Sequence, residues 1–126
     1  MNLTKSSTGE EITPIAFAIH KLMNKLPVTM RTKNSNGIRI EDGVIIDHNY
    51  TGPILEKVLL DGTKHNETPE TGIYKGIPII VVPIIENKEI IAAVGVVDTT
   101  QGIYSDIMEI TKRSEQLPNN DKGEFY

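Results

Sequence analysis

The side chains able to do chemistry are few and scattered. There are three histidines, and two have acidic neighbours: Asp47 beside His48, and Asp61 and Glu67 on either side of His65. Imidazole next to carboxylate is the material of metal ligation or proton transfer. A metal site needs three or four converging ligands, however, and no His-x-x-x-His pair sets two of them on one helix face. His48 and His65 therefore read as loop residues with no metal between them, and His20 as a packing or boundary residue of a helix. The serines (6, 7, 35, 105 and 114) form no Gly-x-Ser-x-Gly elbow. Gly37, Gly43, Gly62 and Gly76 stand alone as turn and cap residues, without Gly-x-Gly-x-x-Gly or Walker spacing. The chain has no cysteine, which excludes thiolate catalysis, disulfides and Cys-ligated metals. No catalytic residue, metal or cofactor is assigned on these grounds.

Tyr74-Lys75 carries more promise. An aromatic and a cation between a polar loop and an apolar run can line a pocket and meet an anionic ligand. The competing reading is an edge-strand aromatic with a gatekeeper lysine. Asp98, in Asp98-Thr99-Thr100-Gln101, is accounted for as a helix cap.

These residues are positioned by elements with clear periodicity. Ile12, Ile15, Ala16, Ile19, Leu22, Met23 and Leu26 form a helical stripe, with Thr13-Pro14 as its opening and Pro27 as its stop. Val28 to Asp47 alternates as three strands, turning at Asn36-Gly37 and Asp42-Gly43. A second helix opens at Thr51-Gly52-Pro53 and closes at Asp61-Gly62. Thr63 to Thr71 has no period and reads as a polar loop.

The runs Ile77–Ile85 and Ile90–Val97 then form a hairpin. A two-residue turn would set Glu86 against Glu89, so a four-residue loop pairing Ile85 with Ile90 is expected. Val81 then shares a face with Val94, and Gly95 shares the other face with Ile80 and Val82. Both faces are apolar, which requires cover on both sides, and Gly95 admits close approach of a helix or ligand. A last helix carries Ile103, Ile107 and Ile110 and ends at Leu117-Pro118.

Of 48 apolar residues, 27 are Ile or Val, and 12 of those lie in this hairpin. β-Branched side chains suit a pleated surface, so the core is expected on a sheet. The predicted architecture is α+β, an antiparallel sheet of about five strands with helices on both faces, in the order α-βββ-α-ββ-α. A single domain spans 1–126, with flexible tails at 1–9 and 118–126. The net charge of −4 and 5% aromatic content argue against a nucleic-acid partner. The longest apolar run holds Pro78 and Pro83 and is too short to span a bilayer. A cytoplasmic protein is expected.

The hairpin, Pro78-Ile79-Ile80-Val81-Val82-Pro83-Ile84 through Ile91-Ala92-Ala93-Val94-Gly95-Val96-Val97-Asp98, resembles the closing half of GAF, PAS or Cache sensory domains. The whole chain also resembles an uncharacterised family from methanogenic archaea, a domain of unknown function. That similarity is carried by Tyr50-Thr51-Gly52-Pro53-Ile54-Leu55-Glu56, Gly72-Ile73-Tyr74-Lys75-Gly76-Ile77-Pro78 and the hairpin. The sensory resemblance implies a small-molecule-binding regulatory module, and the surplus apolar stripes of the first and last helices, more than one small sheet covers, point to a homodimer through those helices. Its ligand is expected against Tyr74, Lys75, His48, Tyr50 and Gly95. The rival readings are a small α+β enzyme using His48, His65 or Tyr74, and a profilin- or roadblock-like scaffold without a ligand.

Overall fold

A computed structural model describes residues 2–100. The expected last helix and C-terminal tail lie outside the described residues. The element order is α1 (Gly9–Leu22), β1 (Val28–Thr32), β2 (Ser35–Glu41), β3 (Val44–Tyr50), α2 (Pro53–Asp61), β4 (His65–Glu67), β5 (Ile79–Glu86) and β6 (Glu89–Val97). The six strands form one sheet in the order β3-β2-β1-β6-β5-β4, every neighbouring pair antiparallel. No helix among the described residues is long and apolar enough to cross a membrane.

α1 opens at Gly9, earlier than Thr13-Pro14 suggested. Thr8 and Glu11 form a reciprocal capping box: the Thr8 N–H donates to Glu11 Oε1 (3.0 Å) and the Glu11 N–H to Thr8 Oγ1 (3.3 Å). That box satisfies two end groups at once. Pro14 therefore sits inside the helix, where it removes the one bond its N–H would have made one turn back. At the other end the His20 ring is buried and engaged on both nitrogens, with Leu26 O 2.8 Å from Nδ1 and the Gly43 N–H donating to Nε2 (2.9 Å). These partners require a neutral ring carrying its proton on Nδ1. The ring ties the helix end to the chain before β1 and to the β2–β3 turn.

The sheet is covered on opposite faces by its two helices. Ile12 and Ala16 of α1 pack with Met30, Ile38 and Ile40, which share one face across β1 and β2. Ile54, Leu55, Val58 and Leu59 of α2 pack with Val81 and Ala93 on the other. Met30, Ile38, Ile40, Val58 and Val81 are fully buried, each worth about 1.5–3 kcal/mol of hydrophobic transfer. α2 begins at Pro53 and ends at Gly62 (φ 68°), as its sequence signals indicated. Asp42 and Gly43 (φ 50° and 78°) form the predicted β2–β3 turn.

Three expectations are corrected. Asn36 and Gly37 lie within β2 and make no turn; Thr32 pairs with Ser35, so the turn falls at Lys33-Asn34. Gly37 is required there by backbone crowding, because a Cβ would lie 1.7 Å from Met30 O. Next, the stretch read as a loop from Thr63 contains β4, which pairs with β5 through His65 opposite Val81 and makes the sheet six-stranded. Three polar residues at a sheet edge are too few to show a period.

The third correction concerns the β5–β6 hairpin. Ile85 does oppose Ile90, but Glu86 also opposes Glu89 across a two-residue turn at Asn87-Lys88 (φ 51° and 65°). Positive φ at both central residues matches the twist of the paired strands. The like-charge contact is relieved by Lys5, whose Nζ lies 2.5 Å from Glu89 Oε2. Beyond the turn Ile84 opposes Ala92, leaving Ile91 as the extra residue of a bulge. The slip changes every later pair, so Val81 opposes Gly95 and shares its face, not that of Val94. Both Ile91 and Ala92 join the α1 side of the core.

The capping box gives a direct check on the α1 boundary. Thr8→Ala is expected to cost about 1 kcal/mol in urea denaturation. A loss near zero would place the helix start at Pro14 instead.

Candidate functional site

Strand pairing lays one row of residues across all six strands. Asp47 opposes Arg39, Arg39 opposes Thr29, Thr29 opposes Gly95, Gly95 opposes Val81 and Val81 opposes His65. Directly opposed residues share a face, so this row lies on the α2 side. Arg39 and Glu41 of β2 are two residues apart and also share that face.

Tyr74 enters this face from the irregular segment between β4 and β5. Its hydroxyl donates to Glu41 Oε2 (2.5 Å), and Arg39 Nε donates to both Glu41 Oε2 (2.9 Å) and the Tyr74 hydroxyl (3.2 Å). The guanidinium carbon lies 5.8 Å from the centre of the Tyr74 ring. Tyr50 meets that ring edge-to-face, with centroids 6.4 Å apart and an interplanar angle of 77°. Burial, followed by the hydrogen bond to Glu41, pushes the Tyr74 hydroxyl far above an ordinary phenol. The same hydroxyl, by donating, holds the Glu41 carboxyl below its usual range. Burial also raises Tyr50. The unit is thus a neutral phenol bridging a guanidinium and a carboxylate in a mostly apolar surround.

Two small voids flank Tyr74. One of about 20 Å³ lies toward Tyr50, Gly52 and Leu55; the other, about 10 Å³, lies toward Gly95, Val97 and Pro27. Thr29, Tyr74 and Ile79 line both. Each holds at most about one water molecule.

Of the residues singled out from the sequence, the structure brings together Tyr74, Tyr50 and Gly95. Lys75 is exposed beside Tyr74, and His48 is exposed on β3; neither joins the group. Sequence reasoning missed Arg39, Glu41 and Thr29. The alternation Ile38-Arg39-Ile40-Glu41 places both charges on one face and was the available signal.

A second cluster surrounds His65 at the far end of the row. Nε2 lies 2.6 Å from Asp61 Oδ2 and Nδ1 lies 2.7 Å from Glu67 Oε2, while Lys57 Nζ donates to Glu67 Oε1 (2.8 Å). Two carboxylates on the two ring nitrogens call for an imidazolium donating to both. No group of three or more His, Asp or Glu side chains among the described residues is arranged to hold a metal ion. The physical reason is that the ring nitrogens point to opposite sides, so Asp61 and Glu67 cannot meet at one point. Asp61, held first by the Thr63 backbone N–H and then by His65, falls to about 2. Glu67 is lowered by Lys57 and then by His65. His65 is raised by Asp61 and then by Glu67.

Residues 19–100 match the family described as uncharacterized protein conserved in archaea (DUF2111). The chain belongs to this family. The matched span of DUF2111 contains the Arg39–Glu41–Tyr74 unit, Tyr50, Gly95 and His65. An uncharacterized protein of Methanocaldococcus jannaschii is 44% identical over 115 residues, which cover 91% of this chain and 88% of that protein. No solved structure matches the chain. An uncharacterised archaeal family, as expected from the sequence, is therefore found.

The His65 cluster has a definite pH signature. A raised histidine stabilises the fold below its unfolded pKa of about 6.5 and loses that contribution as pH rises through the higher folded value. A lowered Asp61 contributes above its ordinary 3.8 and loses its contribution as pH falls toward 2. The cluster is therefore intact between about pH 4 and 6.5. NMR titration of the His65 ring should give a midpoint above 6.5, shifted down in Asp61→Asn. A midpoint at or below 6.5 would show that the carboxylates do not act on it.

Proposed function

We propose that this chain is a small-molecule-binding regulatory module of PAS, GAF or Cache type. The ligand site is on the α2 face of the sheet, against Thr29, Gly95 and Ile79, at the position of Tyr74 and beside Tyr50. One observation carries the reading: both voids are walled by Tyr74, and the hydroxyl of that same ring is held by the Arg39–Glu41 pair, so hydrogen-bonding groups reach the apolar core of this face at the ring between the voids. Such a combination, apolar walls with a few convergent polar groups, is the usual make-up of a ligand site. A sheet covered by a helix on each face supports the sensory comparison, because a ligand under α2 bears directly on the packing of the sheet that α1 covers from behind.

The reading includes a second copy of the chain joined through terminal helices. α1 spends most of its stripe on the sheet and leaves Leu22, 81% exposed, at its end. The remaining apolar stripe expected for that contact is Ile103, Ile107 and Ile110.

A second reading is favoured by the small size of the voids. A core this nearly filled also suits an interaction scaffold without a ligand, presenting side chains such as Leu60, 86% exposed, and Ile73.

Native mass spectrometry of freshly purified full-length protein separates the two. The ligand reading expects a dimer carrying a bound small mass. That mass should be lost in Gly95→Ala, where the new Cβ comes within 3.0 Å of Thr29 Oγ1 and Val81 Cγ2 and takes up space beside the smaller void. A folded wild type that stays empty through a metabolite panel would overturn the ligand reading and support the scaffold.

A further inference from the structure

We propose that the α2-side site takes a planar ring bearing a hydroxyl, a phenol-like ligand, and that Tyr74 is its built-in stand-in, which the ligand displaces. The inference rests on the ligand-binding reading above and specifies what the site accepts.

The segment bearing Tyr74 is attached to the sheet in an unusual way. From Glu70 to Ile77, Tyr74 is the one buried residue; Ile73 and Lys75 on either side of it are exposed. The backbone bonds in this stretch are Lys75 N–H to Gly72 O (3.3 Å), Gly76 N–H to Pro69 O (3.0 Å) and Ile77 N–H to Tyr74 O (3.0 Å). All three close within residues 69–77, and none reaches a strand. Gly72 and Gly76 flank the tyrosine at φ 86° and 81°, and nothing lies within 4 Å of where a Gly76 Cβ would be. Tyr74 is therefore carried on a short turn with a glycine at each end. Its own ring and hydroxyl supply the hold on the sheet. Lifting it out breaks two side-chain hydrogen bonds and leaves the backbone pairing of the sheet untouched.

Lifting it out also makes a site. The voids of about 20 and 10 Å³ share Thr29, Ile79 and Tyr74 as walls, so removing the ring joins them through the space it occupied. The chemistry left behind selects the occupant. Arg39 Nε and Glu41 Oε2 keep each other at 2.9 Å, and each loses the second partner that the hydroxyl oxygen supplied, an acceptor 3.2 Å from Nε and a donor 2.5 Å from Oε2. A hydroxyl supplies both functions at one atom. A carboxylate there would face Glu41, and an ammonium would face Arg39. The ring space has an aromatic edge from Tyr50 and a guanidinium over one face, both suited to a π-system.

The probe is p-cresol, which is the tyrosine side chain as a free molecule, with toluene as the same ring lacking the hydroxyl. Binding to the full chain is followed by amide NMR shifts at Thr29, Tyr50 and Gly95, together with hydrogen exchange across residues 70–77. Wild type should bind p-cresol weakly and exchange faster across 70–77 as the plug leaves. Tyr74→Ala should bind it about tenfold more tightly or better, because a site blocked most of the time loses affinity by its open fraction. Toluene should show a much smaller gain. Tyr74→Phe keeps the ring but loses both hydroxyl bonds, and should fall between wild type and Tyr74→Ala. It serves as the comparison if Tyr74→Ala does not fold.

Equal p-cresol affinity in wild type and Tyr74→Phe, or no shifts at Thr29, Tyr50 and Gly95 in any folded form, would overturn the inference. So would equal affinity for toluene and p-cresol. A co-purified mass lost in Gly95→Ala but not displaced by p-cresol would also overturn it, while leaving the broader ligand reading intact.

Discussion

The constraint that organises this protein is the burial of β6 and its neighbours on both faces of the sheet. Met30 and Val94 are opposed across β1 and β6 on the α1 side, while Val81 and Ala93 lie under α2 on the other. A sheet apolar on both sides is stable only as a middle layer. α1 and α2 must therefore take opposite faces, and the strands without full cover are pushed to the edges. β3 and β4 are those edges: Val44, Ile46 and His48 are exposed on one, and the half-buried His65 and Glu67 lie on the other.

A middle layer leaves little room for polar groups, and the places where they enter are correspondingly constrained. On the α2 side Arg39 and Glu41 neutralise each other, and Tyr74 fills their remaining hydrogen-bonding needs. On the α1 side His20 bonds the carbonyl of Leu26 and the amide of Gly43. In each case at least one partner comes from a segment distant in the chain, so the polar side chain both relieves its own desolvation and pins that segment. The two differ in what they pin. His20 holds a helix end and a tight turn. Tyr74 is itself the anchor of a segment with no other hydrogen bond to the sheet.

Much of the fold was legible because local rules and tertiary needs agreed. The Gly52-Pro53 opening and Gly62 close of α2, the Asp42-Gly43 turn and the two-faced apolar hairpin all followed from neighbours in sequence. The misses have two causes. Asn36-Gly37 has the chemistry of a turn, yet Gly37 is needed where Met30 O presses on it. Glu86 opposite Glu89 looked unfavourable until Lys5, far back in the chain, arrived beside Glu89. Pro14 resembles a helix start, but Thr8 and Glu11 make a stronger one. In the first two a contact from elsewhere outweighed a sound local preference, and in the third a reciprocal local cap outweighed a single proline.

The sequence alone determined the layer structure and membership of an uncharacterised archaeal family, because β-branched periodicity and similarity between chains are read along the sequence without reference to contacts. It also put Tyr74, Tyr50 and Gly95 forward as candidates. Only the tertiary structure decided that these three meet, that Arg39 and Glu41 are their partners, and that Lys75 and His48 face away. Two features account for this. Ile91 bulges out of β6 and slips the register by one residue, bringing Gly95 opposite Val81 and onto the α2 face. Tyr74 then reaches back across more than thirty residues of chain to Arg39 and Glu41. A one-residue slip reverses which side every later residue faces, and a contact between distant segments has no period to read.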